Sequence, residues 1–346
     1  MKTVRCRLTS ARGFTIVELM VAITIGLIVT AAVSTLFVST KRNYLEQDRQ
    51  AKMQENARFA LNFLTYDLRL SGYYGCLDEV NSETVNNAVS AGLFLNVLYP
   101  VEGLNNATGT WYPSANTTLP TSIVANTDAI VLRMASPSSS VQVDSPMPNT
   151  SAQIKVDSVA GLSVGDIVML SDCASADVFQ ITSVQTSSLH LGHNSGSGTP
   201  GNSTQQLSKR YSPPAKVLKF TTRTYFIRNN SSGIPSLFRQ DNAGAAEELI
   251  TGVDQMQLTY GKDTDVPPDK IPNIYLAAGQ AGLQTPAEWS RVRTVRIGLL
   301  VRTPSESGGD KDAHTETWNL NGYTAAAYTD NNRRRMFHVT VNMRNL

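Results

Sequence analysis

The chain has 346 residues, 41% of them hydrophobic and 17% charged, which predicts about two folded domains and excludes a wholly disordered protein. The formal net charge is +2, but residues 1–13 alone hold four basic side chains and no acid, so the rest of the chain is net negative and is not a general nucleic-acid binder. Three cysteines are too few for a disulfide-dense miniprotein.

A long apolar segment follows the basic N-terminus. Residues 14–38 contain a single ionisable side chain, that of Glu18. As an α-helix this segment would be roughly 37 Å long, which is enough to cross a hydrocarbon core of about 30 Å. Basic residues in front of such a segment favour an N-terminus retained in the cytoplasm and export of the part that follows.

Three interpretations of this segment are open on the residues alone. A cleaved secretory signal is one, although its apolar part usually has only about 7–15 residues. A simple membrane anchor that is never processed is the second. In the third, Glu18 is functional, because a carboxylate inside a membrane span is costly and usually marks a function and a partner.

The sequence RGFTIVE at residues 12–18 resembles the processing site of type IV prepilins and type II secretion pseudopilins. Both have a short basic leader that ends in glycine, then phenylalanine, a glutamate four residues later and a long apolar helix. The resemblance implies that a membrane-embedded prepilin peptidase cuts the Gly13–Phe14 bond and so releases residues 1–13 as a leader. It also implies that the new amino group of Phe14 is N-methylated.

Cleavage would give Glu18 a partner. The new amine of Phe14 would be cationic, and in lipid both the amine and the carboxylate need an opposite charge. We expect the amine of an incoming subunit to meet Glu18 of a neighbour that is already in a filament. A one-residue slip would leave both charges unpaired, so the pair sets the axial register and contributes specificity more than stability.

The helix is predicted to continue past the membrane. Residues 41–70 contain no glycine or proline, and Ser71-Gly72 is a plausible end. We therefore predict one helix over residues 14–72, with residues 14–38 in the membrane. Apolar side chains recur in its second half with the spacing of one helical face, and two phenylalanines widen that stripe: Ala57, Ala60, Leu61, Leu64 and Leu68, with Phe59 and Phe63.

Short runs with β-strand character follow the helix. We predict a β-rich insertion over residues 73–215 and a C-terminal antiparallel sheet over residues 216–346, which gives an α+β, pilin-like fold with the long helix packed on the sheet. Strands are expected in the insertion near residues 129–134, 154–156, 167–170, 178–184 and 189–191. In the C-terminal part they are expected near residues 218–226, 237–240, 249–260, 295–301 and 337–343, with a hairpin loop at 229–233.

Two cysteines remain once the leader is removed. Loss of residues 1–13 takes Cys6 away and leaves Cys76 and Cys173. An even pair in an exported domain predicts a disulfide, and two buried free thiols are the alternative.

Several segments resemble the PilW family of large minor pilins, and the likeness runs over nearly the whole chain. It implies a low-copy subunit, inserted in the inner membrane of a Gram-negative bacterium with its C-terminal domain in the periplasm. We expect neither enzymatic activity nor a cofactor, because the sequence holds no convincing catalytic motif. Its partners would be the prepilin peptidase, other minor pilins, the major pilin and, as a further candidate, a tip adhesin, in a complex that primes the pilus and lies near its tip. The segments are residues 56–60, 67–76, 164–173, 252–261 and 344–346.

Two charged clusters are candidate ligand sites. Asp263, Asp265 and Asp269 could offer oxygen ligands to Ca²⁺, but prolines interrupt their spacing and a solvated turn is favoured. Residues 333–335 are three arginines, for which a solvated lead-in to the last strand is favoured over contact with DNA phosphates.

Other functions remain open beside that of a minor pilin in type IV pilus assembly. A minor pseudopilin of a type II secretion system would share every N-terminal feature. A tip subunit for adhesion or DNA uptake would combine a binding function with the structural one.

Overall fold

The computed structural model describes residues 13–77, 80–90, 97–107, 110–113, 120, 122–242, 244–304, 317–325, 328, 330 and 332–345. The chain divides into two compact units, residues 1–51 and residues 52–346. Residues 1–12 of the predicted leader lie outside the described residues.

Helix α1 spans Ile16–Leu70. Within the first unit its apolar side chains up to Val38 are exposed, and this part of the helix is long and apolar enough to cross a membrane. The prediction of a single helix is confirmed. Such a helix can form because Gly26 is the only glycine or proline within it.

The part of α1 in the second unit buries one face. Its buried residues are Met53, Ala57, Ala60, Leu64, Asp67 and Leu68. The predicted stripe is thus present, but Phe59 and Phe63 lie outside it, 41% and 39% exposed. After Leu70 the chain turns at Gly72, whose φ of 76° is in the left-handed region, and the Gly72 N–H donates to the carbonyl of Arg133 at 2.9 Å.

The second unit is rich in strands. A second, short helix, α2, spans Pro286–Trp289. In chain order the strands are β1 (Val85–Asn87), β2 (Val101–Leu104), β3 (Ala129–Gln142), β4 (Ile154–Lys155), β5 (Ile167–Ser171), β6 (Ala176–Gln180), β7 (Ser183–Gln185), β8 (His190–Gly192), β9 (Lys216–Asn229), β10 (Pro235–Asp241), β11 (Ala246–Thr251), β12 (Val253–Lys262), β13 (Ile274–Leu276), β14 (Val292–Arg302), β15 (Trp318–Leu320), β16 (Tyr323–Ala325) and β17 (Arg334–Asn342).

Two larger sheets organise these strands. Eight strands form one sheet, in the order β1-β6-β5-β9-β10-β11, with β3 also paired to β9 and β2 paired to β3. Four strands form the other, in the order β13-β12-β14-β17, and all of its pairs are antiparallel. A three-stranded sheet (β4-β8-β7) and the hairpin β15–β16 complete the described strands.

The boundary expected between residues 215 and 216 does not divide the sheets. Strand β9, which follows it, pairs with β3 and β5 from the expected insertion and also with β10. The single strand expected over residues 249–260 is wrong, because the structure has two strands there, β11 and β12. They are separate because Gly252 has a φ of 83° and breaks the extended backbone. As a result β11 ends the eight-stranded sheet and β12 begins in the four-stranded one.

The main core lies between the part of α1 in the second unit and the two larger sheets, as the α+β prediction requires. Side chains from α1 meet side chains from β3, β9, β12 and β14 in one buried cluster, which includes Leu64, Leu68, Ile130, Tyr225, Leu258 and Ile297. Burial of apolar area of this kind is the main stabilising term of folding.

A disulfide joins the segment after α1 to the eight-stranded sheet. It links Cys76 and Cys173, whose Cα atoms are 4.8 Å apart and whose sequence separation is 97. Cys173 lies in the turn between β5 and β6, so the crosslink holds the chain that leaves α1 against that turn.

Candidate functional site

The bond between Gly13 and Phe14 lies just before α1. Neither residue is helical, and Phe14 is 90% exposed. No described atom lies within 4 Å of the position that a Cβ on Gly13 would occupy. The backbone on both sides of this bond is therefore open to an enzyme that must approach it closely.

Thr15 and Glu18 form the N-terminal cap of α1. The Glu18 N–H donates to Thr15 Oγ1 at 3.2 Å, and in return the Thr15 N–H and hydroxyl donate to Glu18 Oε2 at 2.9 and 3.0 Å. This reciprocal arrangement is a capping box, in which two side chains satisfy backbone groups that the first helical turn leaves without partners. It fixes the start of the helix one residue after the N-cap residue Thr15.

The capping box occupies only one oxygen of the Glu18 carboxylate. Both hydrogen bonds from Thr15 go to Oε2, and Oε1 has no hydrogen-bond partner among the described residues. Glu18 is exposed. The carboxylate can therefore cap its own helix and present Oε1 to a cation from another molecule.

The sequence carries a signal for this cap, which the predicted role of Glu18 as a charge does not include. A threonine followed three residues later by glutamate, in front of an apolar run, is the standard pattern of a capping box. The structure thus adds Thr15 to the residues of the site and gives Glu18 a local role.

The three arginines at residues 333–335 are not a uniformly solvated run. Arg334 is buried, and its guanidinium donates to Asp254 at 2.6 Å and to Asp330 at 2.6 and 2.7 Å, over the ring of Tyr328. Hydrogen bonds from Arg334 lower the pKa of the Asp330 carboxyl to about 2. A strand residue that looked exposed in sequence is therefore the centre of a buried ion-pair cluster.

The three aspartates considered as Ca²⁺ ligands do converge. One carboxylate oxygen from each of Asp263, Asp265 and Asp269 lies within 4.8 Å of the others. However, the two oxygens of Asp263 accept backbone N–H bonds from Asp265 at 2.9 Å and Lys270 at 2.8 Å, and Arg291 lies 3.7 Å from one of them. These contacts explain the buried carboxylate of Asp263 as a group that closes its own loop.

Two protein-family models match the chain. Residues 224–345 match the family described as Type IV Pilus-assembly protein W, and residues 8–34 match the Prokaryotic N-terminal methylation motif. The resemblance of the sequence to the PilW family and to the prepilin processing site is confirmed.

A solved pilin structure matches about half of this chain. A type IV-like pilin from Thermus thermophilus is 13% identical, with a TM-score of 0.23, and the match covers 52% of this chain and 84% of that one. A search of curated proteins gave no match.

Proposed function

We propose that this chain, which carries a PilW-type domain behind a prepilin-type methylation motif, is a minor pilin that takes part in type IV pilus assembly. The observation that carries the proposal is the presence of both matches in one chain, at residues 224–345 and 8–34. A motif of this kind at the start of an exposed apolar helix fits a membrane-anchored pilin. The matching domain is then the part that distinguishes this pilin from others.

Maturation begins at the Gly13–Phe14 bond. The prepilin peptidase cuts there, residues 1–13 leave, and the Phe14 amine is methylated. The exposed, non-helical backbone around this bond supports the proposal, since a protease binds its substrate in an extended form. N-terminal sequencing of the membrane-bound protein should then begin at Phe14.

Glu18 sets the register of assembly. The Phe14 amine of an incoming subunit meets the carboxylate of Glu18 on a neighbouring helix in the membrane. The support is geometric, because Oε1 is available while Oε2 holds the capping box. A charge-assisted hydrogen bond of this kind is roughly twice as strong as a neutral one and is sensitive to register.

We place residues 14–38 in the inner membrane and the second unit in the periplasm of a Gram-negative bacterium. The disulfide between Cys76 and Cys173 supports an oxidising compartment. The periplasmic domain then joins other minor pilins and the major pilin in a complex that primes the filament and lies near its tip. The function is structural, and no step of it calls for a catalytic residue of this chain.

Deletion of the gene tests the function. A minor pilin of the type IV pilus is required for surface pili and twitching, whereas a type II minor pseudopilin is required for protein secretion. Loss of pili with intact secretion, restored by the plasmid-borne gene, is the expected result. Intact pili with lost secretion would overturn the proposal in favour of the pseudopilin.

DNA binding gains no support from residues 333–335, because Arg334 is occupied by Asp254 and Asp330.

A further inference from the structure

Strand β17 lies at one end of the four-stranded sheet. Among the described residues it pairs with β14 alone, from Thr294↔Asn342 to Arg302↔Arg334 without a shift in register. Nine consecutive paired residues without a bulge or a proline make a regular edge. Edges of this kind present a row of unpaired backbone groups and readily accept another strand.

The hydrogen bonds at its two ends show which backbone groups face outward. The Met343 N–H donates to the Arg293 carbonyl at 3.0 Å, and the Thr303 N–H donates to the Arg333 carbonyl at 2.9 Å. Odd-numbered residues of β17 therefore direct their backbone groups at β14, because such pairs alternate along an antiparallel ladder. The even-numbered residues direct theirs away from the sheet: Met336, His338, Thr340 and Asn342.

The other edges in the described part of the chain are short, bulged or covered. Strands β1 and β13 have three residues each, and β2 is covered at Gly103, which exchanges two backbone hydrogen bonds with Tyr112. Strand β11 has six residues, a shift in register in its pairing with β10, and two acidic side chains, Glu247 and Glu248. These are the features by which proteins protect sheet edges, and residues 336–342 of β17 lack them.

The charge around β17 indicates the kind of strand that fits. The strand contains no acid. At its C-terminal end lies a cleft of about 570 Å³ whose lining has four cations and no carboxylate among the described residues. The cations are Arg69, Lys270, Arg293 and Arg344. An acidic segment laid along β17 would place its carboxylates beside these groups.

We propose that the β17 edge accepts an extended, acidic segment of another subunit of the same filament, paired to the backbone of residues 336–342 and with carboxylates in the basic cleft. The proposal rests on the function proposed above. Main-chain hydrogen bonds would provide affinity in such strand addition, and the charges would provide specificity.

Photocrosslinking in cells that assemble the filament tests this. The full-length protein carries p-benzoylphenylalanine at position 340, on the edge, or as a control at position 324, an exposed site on β16. Position 340 should crosslink to an acidic segment of another pilin, located by mass spectrometry of the joined peptides, and position 324 should not. Crosslinks at 340 to a second copy of this chain, to nucleic acid or to no pilin would each overturn the proposal.

Charge reversal supplies the second arm. The double variant Arg69→Glu/Arg344→Glu should lower the yield at position 340 at least about fivefold, whereas Arg210→Glu, at an exposed cation elsewhere, should not. In the double variant, changing the acidic residues of the captured partner segment to arginine should restore the yield. A double variant that had misfolded would not be restored in this way. An unchanged yield in the double variant would overturn the role of the cleft. If deletion of the gene abolishes pili while position 340 captures no pilin, this inference fails and the proposed function stands.

Discussion

Asp67 on α1 forms an ion pair with Arg223 on β9, with 2.7 Å between Oδ1 and Nη1. The other carboxylate oxygen of Asp67 accepts a hydrogen bond from the hydroxyl of Tyr225, two residues further along the same strand. Burial, and next the charge of Asp67, raise the pKa of Tyr225, so this hydroxyl remains a donor. The only buried acid of α1 therefore fixes the helix to the centre of the eight-stranded sheet within the second unit.

Removing this carboxylate should destabilise the second unit. We expect Asp67→Ala to lower the free energy of unfolding by about 2–4 kcal/mol, because Arg223 and Tyr225 would lose a partner in a mostly buried site. Denaturant unfolding of the full-length protein in detergent measures it. Asp241→Ala, which removes a more exposed partner of Arg223, is the matched control and should cost less than about 1 kcal/mol. Equal losses in the two variants would contradict the anchoring role of Asp67.

The disulfide between Cys76 and Cys173 should contribute strongly to stability. It closes a loop of 97 positions, and the loss of such a crosslink typically costs about 2–5 kcal/mol. The variant Cys76→Ser/Cys173→Ser should unfold at lower denaturant than the oxidised protein, and reductant should shift the oxidised protein toward the variant but leave the variant unchanged. If neither the substitution nor the reductant changes the denaturant midpoint of unfolding, the disulfide does not contribute to stability.

Asp128 should make stability depend on pH. Burial raises the pKa of this carboxyl to about 7, although the backbone N–H groups of Asn106 and Leu258 donate to its oxygens and lower it. The folded protein therefore holds this proton more tightly than the unfolded chain, and the free energy of unfolding should fall between about pH 4 and 7, by at most about 4 kcal/mol from this group. Above the folded pKa its contribution should be flat.

The comparison with Asp128→Asn isolates this effect. The variant has its own baseline stability, because one backbone donor loses an acceptor, but it has no proton to release at this site. Denaturant unfolding at several pH values should show that the native protein loses more stability than the variant between pH 4 and 7. Parallel pH profiles would mean that folding does not raise the pKa of Asp128.

Local patterns predicted the elements well, and pairing over long distances was the harder part. The spacing of Ala57 and Leu64 was enough to place the buried face of α1, since the period of a helix is visible in any short window. In contrast, alternation in β9 showed a strand but not that it would join β3 and β5 from the expected insertion. A strand's partners depend on contacts that no window of sequence contains.

Arg334 shows the same limit at a single side chain. Within residues 333–335 it reads as one of three exposed cations, and only the fold brings it to Asp254, 80 residues earlier. Gly252 is intermediate, because glycine is a visible signal for a break but the sequence does not say that the chain then changes sheets. Thr15 was within reach, since the threonine-to-glutamate spacing of a capping box is entirely local.

The two roles of Glu18 can be separated by substitution. Glu18→Gln keeps an oxygen that can accept from Thr15, and so keeps the cap, but it removes the charge that would meet the Phe14 amine of a neighbour. Thr15→Val keeps the charge and removes the hydroxyl of the cap. If the charge sets the register, we expect Glu18→Gln and Glu18→Ala each to reduce surface pili at least about tenfold, and Thr15→Val to reduce them far less. Pili would be counted by electron microscopy, with immunoblots of the membrane fraction as the control for protein level. Normal piliation by Glu18→Gln together with a defect in Thr15→Val would show that Glu18 serves assembly through its cap alone.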